Sequence, residues 1–331
     1  MVNRQWIFNG LPQGRLTPDT FSWREAAVPS LAAGEVLVRT RMLSLDPANR
    51  AWMNGRTYRQ QVLPGDVMHG FTLSEVIASS VPHFVPGDLV DCMGGWQDYA
   101  ALPADQLVKR DRRYSPEMLI GILGVTGMTA YHGLFDIGRP QPGDTVVVSA
   151  AGGAVGTSVG QLAKLSGCKV IGIAGGQSKC QRLVQDLGFD GVVDYKAADF
   201  RQLLKEACPR GVDIYFDNVG GPVLDAVLLS MNEGGRIICC GSVSGYDNAK
   251  ASVGSTLVPG LLITKRLRME GFIVLDYAAQ NAKAEKRLAS WIEGGQLRPV
   301  SDIIDGLERA PEGLVRLLDG GNFGKMSVRV A

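Results

Sequence analysis

Two glycines three residues apart, Gly153 and Gly156 in "VVVSAAGGAVG" (Val146–Gly156), stand where a run of β-branched residues gives way to a helical pattern. A dinucleotide can lay its pyrophosphate on such a junction, because the first helix of a βαβ unit offers free backbone N–H groups and the positive end of its dipole. Glycine lets the phosphate approach the backbone and lets helix and strand pack closely. Gly153, Ala154, Val155 and Gly156 are therefore candidate pyrophosphate contacts, although Ala150 takes the place of the first glycine of the usual fingerprint. The same residues would also suit a tight strand-to-helix turn with no ligand.

The charges nearby bear on which dinucleotide is read. NAD sites usually place an Asp or Glu about 20 residues further on, against the adenine ribose, whereas a 2′-phosphate needs cations and repels that acid. No Asp or Glu occurs from Thr145 through Gln185, and "AGGQSKCQR" (Ala174–Arg182) offers small residues with Lys179 and Arg182. The pattern favours NADPH. Ordinary solvated charges at a helix start are the alternative.

These residues need strands and helices to hold them. From about Thr145 short apolar strands alternate with helical stretches: "TVVVSA", "KVIGIAG", "GVVDY", "VDIYFDNVG" and "GRIICCGS", with helices over 156–166, 179–187, 200–207 and 223–231 between them. Four or five strands with such crossovers predict an α/β, doubly wound parallel sheet. Before about Lys109 the runs 35–45, 74–81, 87–93 and 98–110 are short, β-rich and punctuated by proline, which predicts a separate antiparallel barrel or sandwich. The apolar stretch 115–138 reads as helical. After Trp291 a helix and then a final strand are expected.

A chain of 331 residues exceeds the roughly 250–300 at which one core stops growing, so two domains are expected. With 34 Lys and Arg against 33 Asp and Glu, no strong field draws it to nucleic acid or an anionic membrane, and the partner is a small molecule. Six cysteines without a CxxC pair fit reduced thiols and a cytoplasmic protein. The start, "MVNRQWIFNGLPQGR", lacks the apolar region of a secretory signal, and no segment reads as membrane-spanning.

Several longer segments carry a family resemblance: "SLDPANRAWMNGR", "GGWQDYA", "GVTGMTAYHGL", "SAAGGAVGTSVGQLAKLSGC", "FDNVGG", "GSVSGYDN", "EGFIV" and "GNFGKMSVRV". The chain resembles the zinc-independent medium-chain dehydrogenases/reductases, specifically the leukotriene/prostaglandin reductase group of NADP-dependent alkenal/enone double-bond reductases. The resemblance implies a GroES-like substrate domain at 1–120, joined by 300–331, and a Rossmann NADP-binding domain at 121–299, with the catalytic cleft between them. It also implies that the last strand returns to the first domain and that the protein is a homodimer.

Carried over residue by residue, Lys179 and Tyr195 resemble the 2′-phosphate contacts. Asn218, Cys240, Gly241, Ser242, Tyr246, Phe272, Val274 and Asn322 resemble the remaining cofactor contacts. Tyr195, Asn218 and Asn322 could equally be a strand-end aromatic, an Asx turn and a loop cap. Zinc alcohol dehydrogenases of the superfamily hold a catalytic metal with Cys and His. Here Asp46 and "MHGFT" around His69 occupy the corresponding stretches, and a metal site is not expected.

Without zinc, a conjugated acceptor is the natural substrate. A hydride from NADPH attacks the β-carbon of an α,β-unsaturated ketone or aldehyde, and hydrogen bonds stabilise the resulting enolate. Tyr246 is the candidate catalytic group, as proton donor or enolate partner. Met53, Tyr58 and Trp96 are candidates for the apolar substrate wall, though each could be core. A quinone reductase and a non-catalytic NADPH-binding redox sensor are the competing readings.

Overall fold

The computed structural model describes residues 1–12, 14–246 and 256–330, and the chain divides into two compact units: Met1–Gly121 with Ser301–Ala331, and Ile122–Val300. The first unit opens with β1 (Val2–Phe8) and β2 (Phe21–Ala27), an antiparallel pair. Then come β3 (Glu35–Ser44), α1 (Pro47–Asn54), β4 (Thr72–Ser79), β5 (Leu89–Cys92), β6 (Tyr99–Pro103), β7 (Val108–Arg110) and α2 (Pro116–Ile120). β3 buries every second residue from Val36 to Thr40, the period of a strand with one face on a core.

The second unit holds α3 (Val125–His132), β8 (Thr145–Ser149), α4 (Ala154–Leu165), β9 (Lys169–Ala174), α5 (Gln177–Leu187), β10 (Gly191–Asp194), α6 (Phe200–Ala207), β11 (Val212–Asp217), α7 (Gly221–Ser230), β12 (Met231–Cys239), α8 (Val258–Lys265), β13 (Arg268–Gly271) and α9 (Asn281–Glu293). Its strands form one parallel sheet in the order β10-β9-β8-β11-β12-β13. β8 is buried along its whole length, as a central strand covered on both faces must be. The α/β, doubly wound sheet is present as expected, with β13 as a sixth strand that the sequence reading did not include.

The chain then returns to the first unit with β14 (Ser301–Asp305), α10 (Ala310–Leu318) and β15 (Lys325–Arg329). β15 pairs antiparallel with β3, so the last strand joins the first sheet, in the order β14-β15-β3-β4-β5-β7 with β6 also on β3. This β-rich unit packs a core of Phe8, Leu43, Trp52, Met68, Met326 and Val328, among others. Two differences from the sequence reading stand out. β1, β2 and β14 are strands it did not find, β1 pairing with β2 and β14 lying parallel to the expected final strand, β15. The 115–138 stretch is two helices, α2 and α3, interrupted at 121–124, followed by a wider turn over Gly133–Gly138.

Candidate functional site

In the sheet order β8 is followed in sequence by β9 and β10 on one side, and β11 to β13 lie on the other, so the order in which strands are added reverses between the parallel strands β8 and β11. Open α/β sheets bind ligands outside the carboxyl ends of their strands at this switch point. Every candidate cofactor residue of the second unit lies just past such an end. Gly153–Gly156 follow β8, Lys179 follows β9, Tyr195 follows β10, Asn218 follows β11, Cys240–Tyr246 follow β12, and Phe272 and Val274 follow β13.

The β8–α4 turn is shaped for an anion. Gly153 is the N-cap of α4, no side chain caps the helix, and its first turn holds no acid. The first amides of α4, Ala154 to Gly156, have no partner within the helix and are left for an outside acceptor. Gly156 is required by packing, because a Cβ there would lie 2.4 Å from the Ala150 carbonyl oxygen. Ala150 itself holds a left-handed φ of 47°, a conformation that the usual first glycine adopts without strain.

The ends of β9 and β10 meet at Tyr195. The Tyr195 ring lies against Gly175, where a Cβ would approach its Cε1 to 2.7 Å, and the Lys196 ammonium sits 5.9 Å from the ring centre. Lys179 stands in the first turn of α5, which also contains no acid. Arg182, the other expected cation, pairs with Asp186 at 3.2 Å one turn along the helix. Asp194 is an acid that the sequence window did not cover. Its carboxylate accepts the Gly176 amide at 3.0 Å and the Lys196 amide at 2.9 Å, so it shapes the two turns. Lys196, next to Tyr195 in the sequence, is a cation that the sequence reading did not single out.

At the switch point the carboxylate of Asp217, 3% exposed, is the organiser. Its Oδ1 accepts from Tyr215 Oη at 2.8 Å, from the amides of Val219 and Gly220 at 3.0 and 2.9 Å, and from Ser149 Oγ at 3.2 Å. Its backbone carbonyl accepts the amides of Cys240 and Gly241, which ties the loop after β12 to the end of β11. Asn218 donates its side-chain amide to the Ser149 carbonyl at 2.8 Å and its own N–H to Ser149 Oγ at 2.9 Å. Asp217 and Ser149 were legible only as parts of "FDNVGG" and "SAAGG".

Tyr246 ends a short turn over Val243–Gly245, its amide bonded to the Val243 carbonyl at 3.2 Å. Burial raises its phenol above the usual range, against an opposing pull from the Ser242 backbone, so it stays protonated at neutral pH. Burial pushes the thiols of Cys239 and Cys240 up to about 11 and about 12, so neither is a thiolate nucleophile. The Phe272 ring packs on Gly133 beside Phe216. The last two residues of "GSVSGYDN", Asp247 and Asn248, lie outside the described residues.

In the first unit the substrate candidates separate. Met53 and Trp96 are both 0% exposed and sit in or against the apolar core, Trp96 stacked on Phe21 at 5.1 Å. This corrects their reading as an open wall: each side chain is closed over by its own unit. Tyr58, 50% exposed, is open to a ligand. Asn322 is buried and donates to the Gly324 carbonyl at 2.9 Å.

A zinc site does not fit the positions sought. Asp46 is engaged by Ser44 Oγ and, at 2.6 Å, by the buried ammonium of Lys325. His69 is pushed down by burial and by Arg59. Among the described residues no three His, Cys, Asp or Glu side chains converge to hold a metal. The residues at the sheet edge do fit NADPH: uncapped amides for a pyrophosphate, Lys179 and Lys196 for a 2′-phosphate, and an Asp194 carboxylate already hydrogen-bonded.

A doubly wound sheet read at its switch point, beside a β-rich unit closed by the last strand, is the plan of the medium-chain dehydrogenases/reductases. Comparisons agree. Residues 4–109 match the family described as "N-terminal domain of oxidoreductase" and residues 154–292 that described as "Zinc-binding dehydrogenase". The chain is 43% identical to the NADPH-dependent curcumin reductase of Escherichia coli (strain K12), over 99% of this chain and 97% of that one. It is 42% identical to a 2-alkenal reductase (NADP(+)-dependent) of Nicotiana tabacum, over 90% and 88%. The crystal structure of CurA in complex with NADPH from Vibrio vulnificus superposes with a TM-score of 0.94 at 41% identity, covering 99% of each chain. The chain belongs to the NADP-dependent alkenal/enone reductases of the medium-chain dehydrogenase/reductase family.

Proposed function

We propose that this protein reduces the carbon–carbon double bond of α,β-unsaturated ketones and aldehydes. The observation that carries this reading is the turn after β8, where α4 presents amides that no side chain caps and a first turn without acid, next in the sheet order to β11 and β12, which Asn218 and Tyr246 follow. When bound there, NADPH would supply the hydride that the β-carbon of the substrate takes up. The chain's own part is to hold the charge that follows. Tyr246, kept protonated by its burial, donates a hydrogen bond to the enolate oxygen or delivers the proton that completes the α-carbon.

A buried phenol suits this role because its proton is present throughout the neutral range, yet it can still reach an oxygen as charge develops there. Lys179 and Lys196 select the phosphorylated dinucleotide, and Tyr58 contributes to the substrate wall. The protein acts as a cytoplasmic homodimer. Its six cysteines are free thiols, and no helix among the described residues is long and apolar enough to cross a membrane.

The test is NADPH oxidation followed against a panel of 2-alkenals, enones, matched saturated ketones and quinones, with NADH alongside. Enones and alkenals are expected to be reduced and saturated ketones left untouched. Stoichiometric NADPH binding without oxidation by any enone or alkenal would overturn the reading, and turnover of quinones alone would replace it with a quinone reductase.

A further inference from the structure

Arg59 lies on the 55–64 loop of the first unit, half-buried against two aromatic rings. Its guanidinium carbon is 5.6 Å from the centre of the Trp52 ring and 5.5 Å from that of Phe71. Among the described residues no oxygen accepts a hydrogen bond from this guanidinium and no carboxylate pairs with it. Other well-covered arginines of the chain are matched, Arg236 with Asp144 at 2.7 Å and Arg110 with Asp91 at 3.4 Å. Aromatic faces offset part of the cost of burying a cation, but they accept none of its five N–H donors in the way a carboxylate does.

A second orphan sits at the same place. The Trp52 indole is 1% exposed, and its Nε1–H has no partner among the described residues. Donors thus gather here without an acceptor. Arg59 also acts on His69, which it helps to hold below its usual pKa behind the larger effect of burial and against an opposing pull from Asp66. The loop is fixed in this shape by the Val62 amide on the Trp52 carbonyl at 3.0 Å, the Gln61 side chain on the Met53 carbonyl at 3.0 Å, and the Thr57 amide on the Arg59 carbonyl at 3.1 Å.

We propose that Arg59, backed by Trp52 and Phe71 and bordered by Tyr58, is an anion-binding subsite that takes the carboxylate of an acidic enone or alkenal substrate. The proposal rests on the reductase reading given above and names the substrate class within it. One planar guanidinium among apolar rings matches one planar, singly charged carboxylate, and two parallel N–H···O bonds would satisfy both. The apolar rings would cover the carbon chain next to the charge.

The experiment uses the full chain saturated with NADP+, titrated with octanoate and with its neutral counterpart octanamide, read by tryptophan fluorescence. The natural protein is expected to bind octanoate about tenfold more tightly, with the preference shrinking as salt rises. Arg59→Gln should abolish that preference. Arg59→Lys, which keeps the charge and the stem but not the fork, should retain part of it and serves if the glutamine variant fails to fold. In turnover, the ratio of kcat/KM for 10-oxoundec-8-enoic acid to that for its methyl ester should fall about tenfold in Arg59→Gln, a ratio that cancels any general loss of activity. No octanoate preference in the natural protein, or an equal preference in the variants, would overturn the subsite. If no enone is reduced at all, the reductase reading falls while the octanoate titration still decides the subsite.

Discussion

At the scale of single residues, the chemistry proposed above rests on a phenol and two ammonium groups. Removing the Tyr246 hydroxyl takes away a positioned proton donor, so Tyr246→Phe is expected to lower kcat about 100-fold while leaving the NADPH dissociation constant within about twofold. Undiminished turnover would remove Tyr246 from the chemistry. The sign of the pH dependence follows from its raised pKa. The protonated form is the donor, so kcat should hold through neutral pH and fall only above the ordinary phenol range, a limb that Tyr246→Phe should lack. Lys196→Glu places a carboxylate where a 2′-phosphate would sit. NADPH affinity should drop about tenfold or more and NADH affinity should change little, as equilibrium titration with the two dinucleotides would show. Met53 and Trp96 explain why residue type alone misleads here. Large apolar side chains line cores and substrate walls alike, and only burial tells them apart; Tyr58 had the same sequence signature and is the exposed one.

At the scale of elements, what was legible followed from how each strand is buried. β8, β9 and β11 are central strands covered on both faces, so they read as predominantly apolar runs, and the helices between them carry an apolar stripe. β13, "RMEG", and β14, "SDIID", lie at the ends of their sheets and carry charge, as edge strands do, which erased the pattern that would have announced them. The glycine turn was legible as a turn, but its geometry was not. Gly156 is fixed by the Ala150 carbonyl rather than by a ligand, so Gly156→Ala forces backbone to move at the first turn of α4. The expected result is a stability loss of about 1–3 kcal/mol with weakened NADPH binding, measured by denaturant unfolding and titration. A variant as stable as the natural protein that binds NADPH normally would show that the turn is looser than described. The Asp217 network was hidden for another reason. Its donors come from β8, β11 and the turn after β11, and nothing in a linear sequence brings Ser149 and Asp217 together.

At the scale of the whole molecule, the cofactor sheet ends in an edge that no described strand covers. Among the described strands β13 pairs only with β12, and α8, "VPGLLITK", is apolar yet has no fully buried residue: Val258 and Leu261 pack partly on the core, and Ile263 is 75% exposed. An uncovered strand beside an exposed apolar helix is unstable against association, and a second copy offers the same face in return, which a two-fold axis satisfies. The homodimer should therefore form through this region, with a mass twice the 35.4 kDa of one chain in light scattering. Ile263→Glu tests it without disturbing the fold, because a side chain this exposed contributes little to its own unit. The variant is expected to shift to the monomer mass with an unchanged circular dichroism spectrum. A monomeric natural protein, or a variant that stays dimeric, would move the contact elsewhere and leave the β13 edge to be protected by its own charged pair, Arg268 and Glu270.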